Sequence, residues 1–154
     1  MNLAEFNLLP AESLTPMLLS CADVPVWAAA VRDARPYQDE SALLDVADEL
    51  ARAWTAEEVE KALAAHPKIG ERAEGWSRDE QSGVTPSDEL VEANRAYEDQ
   101  FGGVFLICAT GLSTEEILAS ARARLGNDDE TEAAVVKDEL RKIALLRLRK
   151  VLDE

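Results

Sequence analysis

The sequence predicts an all-α fold, a single-domain bundle of about seven to eight helices over residues 1–154. Three observations predict it: apolar residues that recur at three- and four-residue steps, capping boxes before such stretches, and glycine or proline after them. A chain of 154 residues fits one domain, and a content of 47% hydrophobic and 31% charged residues is typical of globular proteins.

Helix start and stop signals divide most of the chain. Thr55 with Glu58, and Ser113 with Glu116, form capping boxes in which each side chain binds a backbone N–H at a helix start. Gly126 is a stop signal. The predicted helices cover residues 11–20, 24–32, 40–54, 55 to about 66, 85–101, 113–125 and 130–151, the fifth of them with Pro86 in its first turn.

Two stretches lack helical periodicity. Residues 67–83 contain three glycines and few apolar side chains, and a segment of this length in a compact domain is usually functional or mobile. A short helix beginning at Ser77 would fit inside it. Residues 105–109 form the apolar run Phe-Leu-Ile-Cys-Ala after a Gly-Gly pair, and periodicity leaves open whether this run is a strand or a buried helical turn.

Composition excludes several classes of function. A formal net charge of −15 argues against nucleic acid as a partner and serves solubility or tolerance of high salt. No apolar run approaches the ~20 residues of a membrane span, and the N-terminus lacks the pattern of a secretion signal. Two cysteines and one histidine predict neither a disulfide framework nor a metal site. We therefore expect a cytoplasmic protein.

His66 is the first candidate for proton transfer, because it is the one histidine and its side chain titrates near neutral pH. Pro67 disfavours helical geometry at the residue before it, so His66 should lie where the helix from Thr55 ends. In helical proteins a single histidine is also commonly a cap or a surface residue, and the residue pattern alone leaves that alternative open.

Ser77 and Glu80 have the spacing of a capping box, with Ser77 as N-cap. The functional interpretation is compatible with this one, since free N–H groups at a helix start bind anions or carbonyl oxygens. Glu80 and Gln81 would then present acceptor and amide groups to a polar heterocycle.

The run at residues 105–109 is most simply part of the core. In the functional interpretation its backbone offers N–H and C=O groups to a polar ligand. Cys108 is interpreted as a small buried hydrophobe rather than a nucleophile, because no second histidine is present to activate it.

Three stretches together resemble one family closely. They are AHPKIGER (65–72), WSRDEQSGV (76–84) and YEDQFGGVFLICATGLSTEEILASARARLGND (97–128). Their order and spacing are similar to those of the 2-oxo-4-hydroxy-4-carboxy-5-ureidoimidazoline (OHCU) decarboxylases, the third enzyme of urate oxidation to (S)-allantoin. The flanks WAAAVRDARPY (27–37) and KIALLRLRKVL (142–152) also match, so the resemblance covers nearly the whole chain. Lys68 stands where the family often has arginine.

The resemblance implies an all-α fold, a homodimer and no cofactor. It implies that His66 and Glu80 are catalytic. It implies substrate binding by two groups of residues: Pro67, Ser77, Arg78, Asp79, Glu80 and Gln81 in the first, and Phe105, Leu106, Ile107, Cys108 and Ala109 in the second.

The predicted reaction is a decarboxylation in which the substrate's own C=N bond accepts the electron pair and His66 transfers a proton. Two alternatives remain open from the residues: a hydrolase of a related cyclic ureide, which would need an activated water, and a non-enzymatic helical adaptor, which would need an exposed apolar groove.

Overall fold

A computed structural model of the chain describes residues 1–64, 66, 79–85 and 87–153. Within this part of the chain there are eight helices of six or more residues and no strand, which confirms the predicted all-α fold class. The helices are α1 (Leu3–Leu8), α2 (Ala11–Cys21), α3 (Pro25–Asp33), α4 (Glu40–Arg52), α5 (Ala56–Leu63), α6 (Asp88–Phe101), α7 (Thr114–Arg124) and α8 (Asp129–Asp153).

The predicted caps start their helices. Thr55 Oγ1 accepts from the Glu58 N–H at 3.2 Å and Glu58 returns the bond to the Thr55 N–H at 2.9 Å, which begins α5. Ser113 and Glu116 do the same for α7, with both distances 3.2 Å. Helix α1 was not predicted, although its Asn2–Glu5 capping box follows the same chemistry, with Asn2 as the N-cap.

Helix α6 begins later than predicted. Ser87 is its N-cap and accepts from the Leu90 N–H at 3.2 Å, so the first helical residue is Asp88 rather than Thr85. Pro86 lies outside the described residues. The helix ends where the glycine pair predicted: Gly102 has a φ of 77°, a left-handed conformation that suits glycine because it lacks a Cβ.

The chain divides into two compact units. The first comprises Met1–Ala62 and Leu140–Glu154, and its core includes the edge-to-face pair of Trp27 and Trp54, with ring centroids 5.9 Å apart. The Trp27 indole N–H donates to the Ala47 carbonyl at 3.0 Å.

The second unit is Leu63–Glu139. Its core joins α6 and α7 to the non-helical segment between them, through residues Leu90, Ala93, Tyr97, Phe105, Ile107, Ala109, Ile117, Leu118 and Ala121. This unit contains every predicted site residue. In the described part of the chain, no helix is both long and apolar enough to cross a membrane.

Candidate active site

His66 follows the end of α5. The last helical residue is Leu63, and the His66 N–H donates to the Leu63 carbonyl at 3.0 Å. The side chain is half-buried. The predicted position at the helix end is thus correct to within one turn, and the physical reason is that a residue before proline avoids helical geometry. Pro67 itself lies outside the described residues.

Glu80 lies in a tight turn. Asp79 and Glu80 are helical, and the Ser82 and Val84 N–H groups donate to the Asp79 and Gln81 carbonyls at 3.2 and 2.9 Å. Glu80 is buried with 7% of its surface exposed, an environment in which a carboxylate is held by hydrogen bonds or a charge partner. Asp79 is exposed and Gln81 half-buried, so of the two acidic residues Glu80 has the environment of a functional group.

The turn at residues 79–85 is packed against the connection between α6 and α7. A Cβ on Gly83 would lie 2.5 Å from the Leu112 carbonyl oxygen, a spacing that only glycine tolerates. The Thr85 N–H donates to Thr114 Oγ1 at 2.7 Å, and Val84 packs on the core of the second unit. The structure therefore places residues 79–84, the described part of the stretch WSRDEQSGV, beside the connection between α6 and α7.

Residues 105–109 form neither a strand nor a helical turn, which answers the question left open by the sequence. Their backbone is irregular, and side chains rather than a neighbouring strand hold two of its peptide groups. The Leu106 carbonyl accepts from Arg124 Nη1 at 2.7 Å, and the Cys108 N–H donates to Glu139 Oε1 at 3.2 Å. Four of the five residues are buried and Cys108 is half-buried.

Several backbone N–H and C=O groups of this segment have no hydrogen-bond partner among the described residues. Within the part of the chain that the structure describes, neither Ile107 nor Ala109 has an acceptor for its N–H, and the Ile107 carbonyl has no donor. Since buried backbone groups are nearly always paired, these groups are candidates for contact with a ligand.

A buried ion pair lies beside the segment. Arg124 Nε donates to both carboxylate oxygens of Glu132, at 2.6 and 3.0 Å, and the two residues are 6% and 2% exposed. The Tyr97 hydroxyl donates to Glu132 at 3.2 Å. Burial, together with the charge of Glu132, raises the pKa of Tyr97 to about 12. The guanidinium also lies over the Phe105 ring, 4.6 Å from its centroid.

Sequence reasoning missed this ion pair. Arg124 is in the last turn of α7 and Glu132 in the first turn of α8. A positive charge in the last turn and a negative charge in the first turn both interact favourably with the helix dipole, and such charges are ordinarily found at the surface. The available signal was weak: two opposite charges on either side of the stop signal at Gly126.

The remaining predicted residues are not placed. Pro67, Ser77 and Arg78 lie outside the described residues, and the convergence of His66 with the other two stretches stays a prediction. Among described residues there is no group of three or more His, Cys, Asp or Glu side chains that could hold a metal ion.

The fold and the site define a class: an all-α protein with a half-buried histidine after a helix, a buried glutamate in a turn, and an irregular apolar segment between two helices. Comparison with known proteins identifies the family. The family model described as OHCU decarboxylase matches residues 7–149. The chain belongs to the OHCU decarboxylase family, which confirms the membership predicted from its motifs.

Similarity to individual relatives from three organisms supports the same family assignment. The chain is 30% identical to the OHCU decarboxylase of Amia calva, over 83% of this chain and 81% of that protein. It is 25% identical to the OHCU decarboxylase of Haloferax volcanii, over 96% and 94%. It is also 26% identical to the uric acid degradation bifunctional protein of a Bacillus strain, over its full length but only 33% of that relative. The chain thus spans about a third of this longer relative.

Solved structures share the fold. A crystal structure of OHCU decarboxylase in the presence of (S)-allantoin is 27% identical, with a TM-score of 0.77 over 88% of this chain and 96% of that one. A crystal structure of (S)-allantoin synthase has a TM-score of 0.74 at 21% identity, over 97% of this chain and 54% of that one, and so supports the fold alone.

Proposed function

We propose that the chain decarboxylates OHCU to (S)-allantoin and CO₂ in urate degradation. The observation that carries the proposal is the family match over residues 7–149, and a solved relative with (S)-allantoin present in its crystal adds to it. The described residues of the second unit include the groups that such a reaction needs: a histidine, a buried carboxylate, and backbone N–H and C=O groups with no partner among the described residues.

The substrate provides its own electron sink. When the bond between the ring carbon and its carboxylate breaks, the electron pair forms a C=C bond to the neighbouring carbon, and the ring C=N bond accepts the displaced pair at nitrogen, which takes up a proton. The hydroxyl on the first carbon then loses its proton as a carbonyl forms, and the neighbouring carbon gains a proton to give allantoin. No cofactor is needed in this scheme.

The role proposed for His66 is proton transfer at the ring hydroxyl. Its backbone N–H is bonded to the Leu63 carbonyl, which anchors the main chain of this residue to the end of α5. A group whose pKa lies near the working pH can accept and return a proton in one catalytic cycle, which typically contributes ~10²–10⁴-fold in rate.

The role proposed for Glu80 and Gln81 is to hold the ureido arm and the ring nitrogens, with Ser77, Arg78 and Asp79 nearby in the chain. Burial strengthens the hydrogen bonds of the Glu80 carboxylate because the local dielectric constant is low. The Ile107 and Ala109 backbone groups would bind the carbonyl end, since an amide or ureido group presents the complementary donor and acceptor.

Three further expectations are part of the proposal. The chain acts as one domain over residues 1–154 and works in the cytoplasm, as its length and composition predict, and it forms a homodimer, as the resemblance implies. Sedimentation equilibrium of the purified chain tests the dimer directly, and a monomer at micromolar concentration would refute it.

The test of the function uses the unstable substrate. The intermediate is generated in place from urate with the two preceding enzymes of urate oxidation, the chain is added, and the circular dichroism of allantoin is followed. We expect rapid growth of the (S)-enantiomer signal. Slow growth of racemic product at the rate without the chain would refute the proposal and favour an adaptor, and loss of activity on chelation would favour a metal-dependent hydrolase.

A further inference from the structure

The peptide groups on either side of Ile107 are held by two buried charged side chains. Arg124 Nη1 donates to the Leu106 carbonyl at 2.7 Å, and Glu139 accepts from the Cys108 N–H at 3.2 Å. The main chain at Ile107 is therefore fixed from both sides, while its own N–H and C=O have no partner in the described part of the chain.

Arg124 is itself held in place. Its Nε bonds both oxygens of Glu132, the Tyr97 hydroxyl fixes one of these oxygens, and the guanidinium plane packs over Phe105. A planar guanidinium has donors in fixed directions, so an anchored Nε also sets the direction of Nη1 toward the Leu106 carbonyl.

Stability alone does not explain this ion pair. Burying an ion pair has a desolvation cost that apolar side chains of the same volume avoid, and such replacements are often neutral or stabilising. The pair is also incompletely satisfied, because Arg124 Nη2 is buried with no hydrogen-bond partner among the described residues. What apolar side chains could not do is bond the Leu106 carbonyl.

We propose that Arg124 and Glu132 are positioning residues: they hold the Leu106 carbonyl and thereby fix the Ile107 peptide groups in the geometry that binds the amide-like part of the substrate. The inference rests on the proposed function, because it assumes that residues 105–109 contact the substrate. Neither side chain needs to touch the substrate, so the expected effect is on substrate binding more than on the chemical step.

The first test variant is Arg124→Lys. Lysine keeps the positive charge and can pair with Glu132, but one ammonium group lacks the fork that also serves Leu106. We expect KM to rise about tenfold with kcat reduced less than about threefold, and the dissociation constant of (S)-allantoin to rise in parallel. Far-UV circular dichroism confirms that the variant is folded at the assay temperature.

Arg35→Lys is the matched control in the first unit. Arg35 also holds backbone carbonyls with its guanidinium, those of Phe6 and Leu9, at 3.0 and 2.7 Å. A merely structural role for such an arginine lowers the melting temperature and leaves KM within about twofold. If Arg124→Lys does not fold, Glu132→Gln replaces it, since it keeps the side-chain shape while weakening the hold on Arg124, and KM should then rise about threefold.

The outcomes separate the two proposals. An active wild-type chain with a folded Arg124→Lys variant whose KM stays within twofold would refute the positioning role and leave the function intact. An equal rise of KM in Arg35→Lys would also refute it, because the effect would then be general destabilisation. A wild-type chain that does not accelerate formation of (S)-allantoin would refute the function, and the positioning role with it.

Discussion

The two compact units of this protein use arginine in different environments. In the first unit, Arg35 is half-buried and holds three backbone carbonyls near the chain's N-terminal helices, of which that of Arg32 is the third. In the second, Arg124 is buried against Glu132 and holds one carbonyl in an irregular segment. The first arrangement satisfies connections between helices, whereas the second holds a segment in which the Ile107 N–H and C=O have no partner among the described residues.

The buried polar side chains of the described residues are also distributed unequally between the two units. Five of the six lie in the second unit, and the exception is Arg147, which donates to the Ser20 carbonyl. The five are Glu80, Asn94, Arg124, Glu132 and Glu139. Because burial of a charge costs free energy, their concentration in the unit that contains His66 is the expected pattern of an active site.

The largest effect should come from His66→Gln. Glutamine can donate and accept hydrogen bonds but does not titrate, so formation of (S)-allantoin should slow ~10²–10⁴-fold while the melting temperature stays nearly unchanged. The matched change in the first unit is Tyr37→Phe, which removes the hydroxyl bonded to the Val31 carbonyl at 2.6 Å. Tyr37→Phe should lower the melting temperature and keep its turnover. If Tyr37→Phe instead lost turnover and His66→Gln lost only stability, the functional difference between the two units would be contradicted.

The next effect concerns the free energy of unfolding. Glu132→Ala leaves Arg124 charged and buried without its carboxylate, which should lower the free energy of unfolding by about 3–5 kcal/mol. The double variant Arg124→Met with Glu132→Leu should recover most of this loss, but not the affinity for (S)-allantoin. Urea titration and calorimetric binding measure the two quantities, and recovery of both would mean that the pair contributes only to stability.

A smaller effect is expected at Gly83. The Cβ of Gly83→Ala would meet the Leu112 carbonyl at 2.5 Å, so the turn that carries Glu80 must shift, and overpacking of this kind costs about 1–3 kcal/mol. The control is Gly103→Ala, where an added Cβ has no atom within 4 Å. The melting temperature and the turnover should both fall for Gly83→Ala and not for Gly103→Ala. If the two variants behave alike, the close packing of Gly83 does not contribute to the site.

The smallest effect is a loss of stability at alkaline pH, to which one buried tyrosine in each unit should contribute. Burial raises the pKa of Tyr37 and of Tyr97 to about 12 from 10.0. Between these values the folded chain keeps protons that the unfolded chain has released, so the free energy of unfolding falls as pH rises, by about 1 kcal/mol per tyrosine at pH 11.

Phenylalanine at either tyrosine position should remove about half of this pH dependence. Urea unfolding between pH 9 and 11 measures it. If only one of the two substitutions reduces the pH dependence of the free energy of unfolding, burial does not raise the pKa of the other tyrosine.

Much of the fold could be predicted from the sequence, because helix periods and capping boxes are local. The boxes at Thr55 and Ser113 start α5 and α7 as predicted, and the glycine pair ends α6. The start of α6 was misplaced because Thr85 and Ser87 are both acceptable caps, and the capping bond that forms is the one from the Leu90 N–H to Ser87.

The site was predictable where chemistry is local to a residue. His66 is recognisable as the one histidine, before a proline. The contacts of Arg124 and Glu139 with this site could not be predicted, since each joins residues that are 18 or 31 positions apart in the chain. The irregular path of residues 105–109 has the same cause: its peptide groups are bonded by side chains from α7 and α8, which no periodicity in the segment records.

The most direct test of the account is titration of the ¹⁵N-labelled chain with (S)-allantoin, observed by nuclear magnetic resonance. The account predicts saturable shifts of the Ile107 and Ala109 amides and of the His66 ring, with α3 (Pro25–Asp33) as an unshifted reference. If these three signals stay in place while saturable shifts occur elsewhere, the ligand binds at another site and the account is contradicted.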